Sequence, residues 1–331
     1  MSHKVLYYTL EGNIQRARQI LDEMGVSDQI ELTGVGHEAY SSPSEQELEG
    51  MEAVITELTP IDTAEADLMD KAGIRIVASM SIGINHMDVE ELEKMGIWVT
   101  NCPGYCAEDV ALHAIAMTLD LERQITYGAK LVEKGGWDPR TGYKMRRISG
   151  QTMGLVFFGH IGREVAPLAK GLGMDVVVWA PTKTEEYLAS FGCRKAETLD
   201  ELLVQSDVVS LHCPLIPETR DLIGARELSL MKPTAFLINT ARGELIDEDA
   251  LADALDSGTI AAAALDVMRN EAGPRSERLI SNPRCVITPH SAYLSEEADD
   301  NLRKMSLRSV CDLLIDGRKP SNAVNNPSSH R

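Results

Sequence analysis

Residues 153–179 read MGLVFFGHIGREVAPLAKGLGMDVVVW, and this stretch decides the fold. It begins with an apolar run, continues through a turn that contains Gly159 and Gly162, and ends in a second apolar run at residues 176–179. A helical segment between two short apolar runs predicts parallel strands joined by a crossover helix. The stretch therefore predicts a βαβ unit.

The same alternation continues on both sides of this unit. Further strand candidates lie at residues 208–212, 235–239, 260–265 and 286–288, and in the amino-terminal third at residues 5–8, 53–56, 74–78 and 98–100. Strands that alternate with helices form parallel sheets covered on both faces. We therefore expect an α/β protein with two Rossmann-like or flavodoxin-like domains, each a doubly wound parallel sheet, with a cleft between them.

The domain boundaries follow from breaks in this alternation. The Pro103-Gly104 pair ends the first series, and a long helical pattern follows at residues 107–124. A last amphipathic helix is predicted at residues 295–315, and we expect it to pack back onto the first domain. This gives a discontinuous domain, residues 1–101 plus 291–331, around a second domain, residues 102–290. The tail from residue 321 is expected to be frayed.

The composition indicates which partners the protein can bind and where in the cell it is expected. Asp and Glu number 51 against 32 Lys and Arg, a net charge of −19 that repels phosphate backbones and anionic lipid. We therefore expect no nucleic-acid or membrane partner. The chain has neither a secretory signal pattern nor an apolar run of the roughly 20 residues that a membrane helix needs, so a cytoplasmic location is expected. Its six cysteines contain no CxxC pair, which predicts free buried thiols and no metal site.

The turn inside the first βαβ unit is a candidate dinucleotide-binding loop. Its sequence, Phe157-Phe158-Gly159-His160-Ile161-Gly162, stands where a GxGxxG motif would stand. Gly159 would let the backbone approach a pyrophosphate, and the first amides of the next helix would bind its negative charge. Phe157 replaces the first glycine, so it either completes the strand in an ordinary β conformation or marks a modified loop. A plain turn between strand and helix is the alternative.

The loop after the second strand bears on the cofactor. An acidic residue would bind the adenosine ribose there, but the sequence reads Ala180-Pro181-Thr182-Lys183-Thr184. Without a carboxylate the site does not repel a 2′-phosphate, and Lys183 with the neighbouring hydroxyls could bind one. NAD and NADP therefore both stay open, and a solvated Lys183 without a binding role is the alternative.

Three later segments place polar residues at predicted strand ends. They are NTARG at residues 239–243, LDV at residues 265–267 with Glu271 close behind, and TPHSA at residues 288–292. An arginine can bind a carboxylate and polarise a carbonyl, while a histidine paired with a glutamate can move a proton. This set suits oxidoreduction of a 2-hydroxy acid. The alternatives are structural: Arg242 closing a turn, Asp266 capping a strand end, and His290 as a core residue.

From about Ser81 to Ala298 the chain resembles the NAD(P)-dependent D-isomer-specific 2-hydroxyacid dehydrogenases. The shared motifs, in family order, are SIGINHMD, VTNCPGYCAEDVALHA, GLVFFGHIGREVAPLAKGLGMDV, SDVVSLHCPLIPETRDLIG, LMKPTAFLINTARGELIDEDAL, ALDVMRNE and ITPHSAY. The resemblance implies that Arg242 orients the substrate, that His290 is the acid/base and that Glu271 pairs with it. It further implies that the discontinuous domain binds substrate and that residues 102–290 bind the dinucleotide.

The expected cofactor contacts combine the loops above with this resemblance, which also suggests that Asp266 binds the nicotinamide amide. They are Gly159, His160, Ile161, Gly162, Ala180, Thr182, Lys183, His212, Cys213, Pro214, Thr219, Thr240, Ala241, Arg242, Asp266 and His290.

On the substrate side the chain departs from the family. Many members have an arginine just before the glycine-bearing loop, whereas this chain has Ser79-Met80. We expect Arg242 and the backbone amides of Ser81, Ile82 and Gly83 to bind the substrate carboxylate, with Met80 as an apolar wall. A second departure follows Glu271, where Ala272 stands in place of the usual proline.

Two other functions of the chain stay open, and a dimer is expected. The chain could be a nucleotide-sensing binding protein similar to C-terminal-binding corepressors, although the complete Arg242, Glu271 and His290 set favours an enzyme. Its specific activity could be that of a hydroxypyruvate or glyoxylate reductase, as against a reductase of larger 2-oxo acids. The resemblance also suggests a homodimer built around residues 107–124.

Overall fold

The chain divides into two compact units in a computed structural model that describes residues 2–327. One unit comprises Met1–Tyr105 with Ser295–Arg331, and the other comprises Cys106–Leu294. The boundaries expected after residues 101 and 290 each lie four residues before those of the structure, which fall after Tyr105 and Leu294.

The described residues contain twelve strands and thirteen α-helices. In chain order the first segment contains β1 (His3–Thr9), α1 (Gln15–Met24), β2 (Ile30–Gly36), α2 (Glu45–Leu48), β3 (Ala53–Thr56), α3 (Thr63–Ala72), β4 (Ile76–Ser79), α4 (Val89–Lys94) and β5 (Trp98–Thr100). The central segment contains α5 (Ala107–Arg123), α6 (Ile125–Glu133), β6 (Thr152–Val156), α7 (His160–Gly171), β7 (Asp175–Trp179), α8 (Glu185–Ser190), β8 (Arg194–Lys195), α9 (Leu199–Gln205), β9 (Val208–Leu211), α10 (Ala225–Leu230), β10 (Phe236–Asn239), α11 (Glu248–Ser257), β11 (Ala262–Leu265), α12 (Glu277–Ser281) and β12 (Cys285–Ile287). The last helix is α13 (Glu296–Leu314).

The discontinuous unit contains a five-stranded parallel sheet in the order β2-β1-β3-β4-β5. Apolar clusters cover both of its faces, and α13 packs on one face beside α1. The Ser295 hydroxyl caps α13 by accepting a hydrogen bond from the Ala298 amide at 2.9 Å. The last helix therefore does pack onto the first domain.

The segment after α13 is more ordered than the sequence suggested. The amide of Val324 donates to the Val99 carbonyl at 2.9 Å. The buried Asn325 side chain accepts from the Val99 amide and donates to the Ile97 carbonyl, each at 2.9 Å. The expectation of a frayed tail is wrong for residues 321–327, because these hydrogen bonds extend the edge of the sheet. Residues 328–331 lie outside the described part.

The central unit contains a seven-stranded parallel sheet in the order β12-β11-β10-β9-β6-β7-β8. Six of these strands were expected, and β8 was missed because it is only two residues long and reads Arg194-Lys195. In the other sheet β2 was missed, because exposed positions interrupt its apolar pattern. The expected fold class is confirmed, with two doubly wound parallel sheets.

This topology gathers the loops of interest at one edge of the central sheet. Because β6, β7, β9, β10 and β11 are all parallel, the loops that follow them leave from the same edge. All six cysteines are free and buried, as expected. Among residues 2–327, no helix combines the length and the apolar character needed to cross a bilayer.

Candidate active site

The dinucleotide loop begins with a residue in an unusual conformation. Phe157 has a φ of 71°, in the left-handed region that glycine adopts most readily. Its ring packs edge-on against Trp179, with 5.6 Å between ring centroids, and its amide donates to the Trp179 carbonyl at 2.8 Å. The ordinary β conformation considered for Phe157 is therefore wrong. The loop is a modified one in which a phenylalanine adopts the backbone conformation of a glycine.

Helix α7 starts immediately after this turn. Gly159 is its N-cap and offers no side chain to the first amides, and a Cβ placed on Gly159 would meet nothing within 4 Å. A Cβ on Gly162 would lie 3.2 Å from the Phe157 carbonyl oxygen, so Gly162 lets the helix pack closely on the turn. His160 is paired with Arg163 at 2.8 Å, and Ile161 packs on the core. The helix terminus is thus open to an anionic ligand.

The loop after β7 contains no acidic side chain at the expected position. Ala180 is buried in the core, so only its backbone could contact a ligand. The Lys183 ammonium lies 5.1 Å from the centre of the Tyr187 ring and forms no ion pair with any residue in the described range. Thr182 is exposed, whereas the hydroxyl of Thr184 caps α8 by accepting from the Tyr187 amide at 3.2 Å.

The loop after β9 contains a neutral histidine. Burial lowers the pKa of His212 to about 4, and neither ring nitrogen has a hydrogen-bond partner in residues 2–327. Cys213 is buried, while the Thr219 hydroxyl donates to the Pro214 carbonyl at 2.7 Å and accepts from the Ile216 amide at 2.9 Å. Thr219 therefore shapes this loop, and the His212 ring is left with unused hydrogen-bonding capacity.

The loop after β10 presents Arg242. Asn239 fixes the loop, because its side chain accepts from the Ala241 amide at 3.0 Å and donates to the Arg242 carbonyl at 2.8 Å. Arg242 Nη1 donates to the Ala241 carbonyl at 2.6 Å. The Thr240 hydroxyl is buried and has no partner among the described residues. Gly243 is required here, because a Cβ would clash with the backbone of Met268.

Asp266, at the end of β11, is the centre of a hydrogen-bond network. Its Oδ1 accepts from the Thr288 hydroxyl at 2.5 Å and from the Ser291 amide at 2.9 Å, and its Oδ2 accepts from the Ala292 amide at 2.9 Å. Its backbone carbonyl accepts from the His290 amide at 2.8 Å. Asp266 therefore builds the loop that contains His290, and most of its acceptor capacity is already used there.

Glu271 and His290 form an ion pair in which Oε2 lies 2.7 Å from Nδ1. Burial acts to raise the pKa of Glu271, but the hydrogen bond and charge of His290, the Met268 amide and the charge of Arg242 outweigh it, so the pKa is lowered. Glu271 is thus anionic at neutral pH. The other ring nitrogen of His290, Nε2, makes no hydrogen bond within residues 2–327 and is available to a ligand.

The central unit thus brings Asp266, Glu271 and His290 together, with the charge of Arg242 close enough to lower the pKa of Glu271. Other groups of this unit fit a dinucleotide. The open N-terminus of α7 can accept a pyrophosphate, and the buried unpartnered groups of His212 and Thr240 lack the protein partners that such groups normally have.

Four of the five expected substrate residues belong to the discontinuous unit, and the fifth is Arg242 of the central unit. Met80 is buried and its amide donates to the Thr56 carbonyl at 2.8 Å. The Ser81 hydroxyl donates to the Gly83 carbonyl at 2.8 Å and lies 2.9 Å from Ser79 Oγ. Within residues 2–327 the amides of Ser81, Ile82 and Gly83 donate no hydrogen bond, so they form a group of free donors.

Sequence reasoning did not single out His113 and Thr288, whose side chains belong to the hydrogen-bond network of Asp266. His113, on α5, lies with Nε2 3.1 Å from the Thr288 hydroxyl and 3.6 Å from Asp266 Oδ1. The sequence signal that could have indicated them is a histidine within the apolar stretch VALHAIAM, residues 110–117, together with the threonine of TPHSA. Elsewhere in this unit, the loop at residues 135–150, which is rich in basic side chains, is anchored where Arg146 pairs with Asp207 at 3.0 Å.

The central unit combines a doubly wound sheet, an open helix N-terminus, Arg242 and the Glu271–His290 pair. These features together are typical of a dinucleotide-dependent oxidoreductase. The family profile described as "D-isomer specific 2-hydroxyacid dehydrogenase, NAD binding domain" matches residues 115–292. The glyoxylate reductase of Thermococcus litoralis is 35 % identical over 285 residues, which cover 83 % of this chain and 84 % of that protein.

Two further known proteins are similar to this chain over most of its length. The hydroxypyruvate reductase of Blautia hydrogenotrophica is 35 % identical over 257 residues, 76 % of this chain and 79 % of that protein. The structure of a D-isomer specific 2-hydroxyacid dehydrogenase from Lactobacillus delbrueckii ssp. bulgaricus, in its NAD-complexed form, has a TM-score of 0.79 and 27 % identity, covering 97 % of this chain and 100 % of that one.

The chain belongs to the D-isomer-specific 2-hydroxyacid dehydrogenase family. It is an NAD(P)-dependent oxidoreductase that transfers a hydride between a nicotinamide cofactor and a 2-oxo or D-2-hydroxy acid, as the motifs predicted.

Proposed function

We propose that the protein reduces small 2-oxo acids of the glyoxylate and hydroxypyruvate class, with Arg242, Glu271 and His290 as its catalytic residues. The observation that carries the proposal is the 2.7 Å contact between Glu271 and His290. Relatives described as glyoxylate reductase and hydroxypyruvate reductase support the small substrate.

The hydrogen bond to Glu271 decides which ring nitrogen of His290 exchanges a proton. An anionic carboxylate only accepts hydrogen bonds, so Nδ1 keeps its hydrogen and donates it to Glu271. Nε2 is therefore the atom that gives a proton to the substrate oxygen during reduction and takes it back during oxidation. The nicotinamide, when bound, supplies or accepts the hydride.

Arg242 and the loop before Ile84 bind the substrate in this proposal. The guanidinium of Arg242 attracts the substrate carboxylate and polarises its carbonyl, a task suited to a planar group with several donors. The free amides of Ser81, Ile82 and Gly83 are the proposed substrate-binding donors of the discontinuous unit. Met80 provides an apolar neighbour to this loop.

We assign dinucleotide binding to the central unit and substrate binding to the discontinuous one. Gly159 to Gly162, Ala180, Thr182, the segment His212 to Pro214 with Thr219, and Thr240 to Arg242 are the proposed cofactor contacts. Asp266 acts chiefly on the His290 loop, and one lone pair of its Oδ2 remains for the nicotinamide amide.

We further propose that NADPH is the preferred reductant. Lys183 forms no ion pair within the described residues, and the buried Ala180 brings no charge that would repel a 2′-phosphate. Replacing Lys183 with Ala should raise the KM for NADPH about 10-fold, equivalent to one charge-assisted contact, and leave the KM for NADH unchanged. Equal effects on both cofactors would exclude a phosphate-binding role.

Two copies are proposed to pair through α5, α6 and the segment after them. Leu112, Ile125, Val132 and Trp137 are exposed apolar side chains in this region, and Trp137 is 85 % exposed. Such a group of apolar residues is typical of an interface. In analytical ultracentrifugation the dimer of the Trp137→Glu variant should dissociate into monomers. The dimer of Val204→Glu, a change at an exposed valine of α9, should not. A monomeric parent protein would refute this pairing.

A cytoplasmic location is part of the proposal. All six cysteines are buried free thiols, which suits a reducing compartment. Fractionation of cells that express the full chain should recover it with cytoplasmic markers.

The deciding experiment mixes the enzyme with NADPH or NADH and a panel of glyoxylate, hydroxypyruvate and 2-oxoisocaproate, and follows cofactor oxidation. The proposal expects turnover with the two small acids and at least a 10²-fold loss in the His290→Ala variant. Cofactor binding without turnover of any 2-oxo acid would favour the nucleotide-sensing alternative. Faster turnover of 2-oxoisocaproate would overturn the small-substrate assignment.

A further inference from the structure

We infer that His113 and Thr288 are positioning residues that hold the loop of His290 in its working geometry through Asp266. This inference rests on the role proposed above for His290. A continuous path leads from α5 to the acid/base: His113 Nε2 is 3.1 Å from Thr288 Oγ1, and Thr288 Oγ1 is 2.5 Å from Asp266 Oδ1.

The direction of each hydrogen bond in this path is fixed by chemistry. The Asp266 carboxylate also accepts from the Ser291 and Ala292 amides, so it acts as an acceptor throughout. Thr288 must then donate its hydroxyl hydrogen to Asp266, and its oxygen is left to accept from His113. His113 therefore carries its hydrogen on Nε2, and a residue without a donor at this place leaves the Thr288 oxygen with one bond fewer.

The loop needs such support because its backbone is strained. His290 has a φ of 52°, a left-handed conformation that is unfavourable for a residue other than glycine. The side chain is exposed and cannot be held by core packing. The loop is held instead by Asp266, whose carbonyl accepts from the His290 amide and whose carboxylate accepts from the two amides that follow.

Thr288 orients that carboxylate, and His113 orients Thr288. An error of about 1 Å in the place of a reacting group can cost about 10²-fold in rate. Loss of either residue should therefore lower the chemical step while leaving the distant adenosine side of the cofactor site intact.

The test compares variants that keep or remove each donor. Thr288→Val removes the hydroxyl at nearly constant volume, and Thr288→Ser restores it. His113→Leu removes the ring donor, and His113→Gln restores an amide donor in the place of Nε2. Thr118→Val is the matched control, because Thr118 lies on the same helix and its hydroxyl only bonds the Ala114 carbonyl at 2.8 Å.

The measurements are kcat and KM for glyoxylate reduction, the Kd for NADPH, and Tm. We expect Thr288→Val and His113→Leu each to lower kcat about 10- to 100-fold, with the Kd for NADPH changed less than about threefold. Thr288→Ser and His113→Gln should recover most of kcat, and Thr118→Val should retain it. The double variant should lose little more than either single one, because both act through one path.

Three results would overturn the inference: wild-type kcat in Thr288→Val, equal losses in Thr288→Val and Thr288→Ser, or fully additive losses in the double variant. The His290→Ala variant separates this inference from the proposal on which it depends. If His290→Ala keeps its turnover, the acid/base assignment is wrong; if His290→Ala fails and Thr288→Val does not, only the positioning roles are wrong.

Discussion

Oε2 of Glu271 lies 2.7 Å from Nδ1 of His290, although the two residues are nineteen positions apart. The loop that contains Glu271 lacks the proline usual in the family, yet the five-residue step from Asp266 still brings the carboxylate to the ring. The pair combines a negative charge with a ring whose second nitrogen is free, which suits proton transfer in both directions of the reaction.

The first prediction concerns the charge of Glu271. Because its pKa is lowered, Glu271 is ionised at neutral pH and accepts the hydrogen that Nδ1 of His290 donates. In Glu271→Gln this negative charge is lost from beside the ring, so kcat for reduction should fall about 10-fold at pH 7. A parental kcat in Glu271→Gln would contradict the pairing.

The second prediction tests the left-handed backbone of Phe157. Alanine is strained at φ 71° and glycine is not, so Phe157→Gly should be more stable to unfolding than Phe157→Ala by about 1 kcal/mol. Both should be less stable than the parent, because the contact with Trp179 is lost. The neighbouring buried Phe158 has no positive φ and serves as the control, where alanine should be the more stable substitution. The same order at both positions would refute the strained turn.

Some features of this fold could be predicted from local sequence and others could not. The βαβ pattern was accessible from strand periodicity, and the family order of motifs pointed to Arg242, Glu271 and His290. The conformation of Phe157 was not accessible, because the sequence left two conformations open and only the folded turn shows the φ of 71°. The contact of His113 with Thr288 joins residues 175 positions apart, and only the folded sheet brings them together.

The third prediction concerns the opposite edge of the central sheet. Burial acts to raise the pKa of Asp207, but the Thr152 amide, Lys232 and Arg146 outweigh it and lower the pKa. A lowered pKa means that the ionised form stabilises the fold at neutral pH, and that this contribution disappears as pH falls through the folded-state pKa. Asp207→Asn should therefore lower the free energy of unfolding by about 2 kcal/mol at pH 7.

The difference between Asp207→Asn and the parent should shrink as pH falls below about 4, where this carboxylate starts to take up a proton in the unfolded chain while the folded protein still holds it ionised. Chemical denaturation at pH 7 and pH 3.5 measures it. Asp175→Asn is the control, because Asp175 is an exposed residue at the start of β7. A stability difference independent of pH would show that the charge of Asp207 is not the cause.

The fourth prediction concerns Arg269, which anchors the loop of Glu271. Its Nε donates to the Ile246 carbonyl at 2.8 Å, its guanidinium pairs with Asp221, and its amide donates to Glu248 at 2.8 Å. Arg269→Met keeps the amide contact and the apolar stem but loses both guanidinium contacts. The loop should then hold Glu271 less firmly, and kcat for 2-oxo acid reduction should fall about 10-fold.

The loss in Arg269→Met should not add to that in Glu271→Gln, because the arginine acts through the carboxylate. Arg278→Met is the matched control: Arg278 makes exposed ion pairs with Asp253 and Asp256 at 2.8 Å, and such pairs contribute little. If Arg269→Met lowers kcat by the same factor in the Glu271→Gln background, Arg269 acts by a route independent of Glu271.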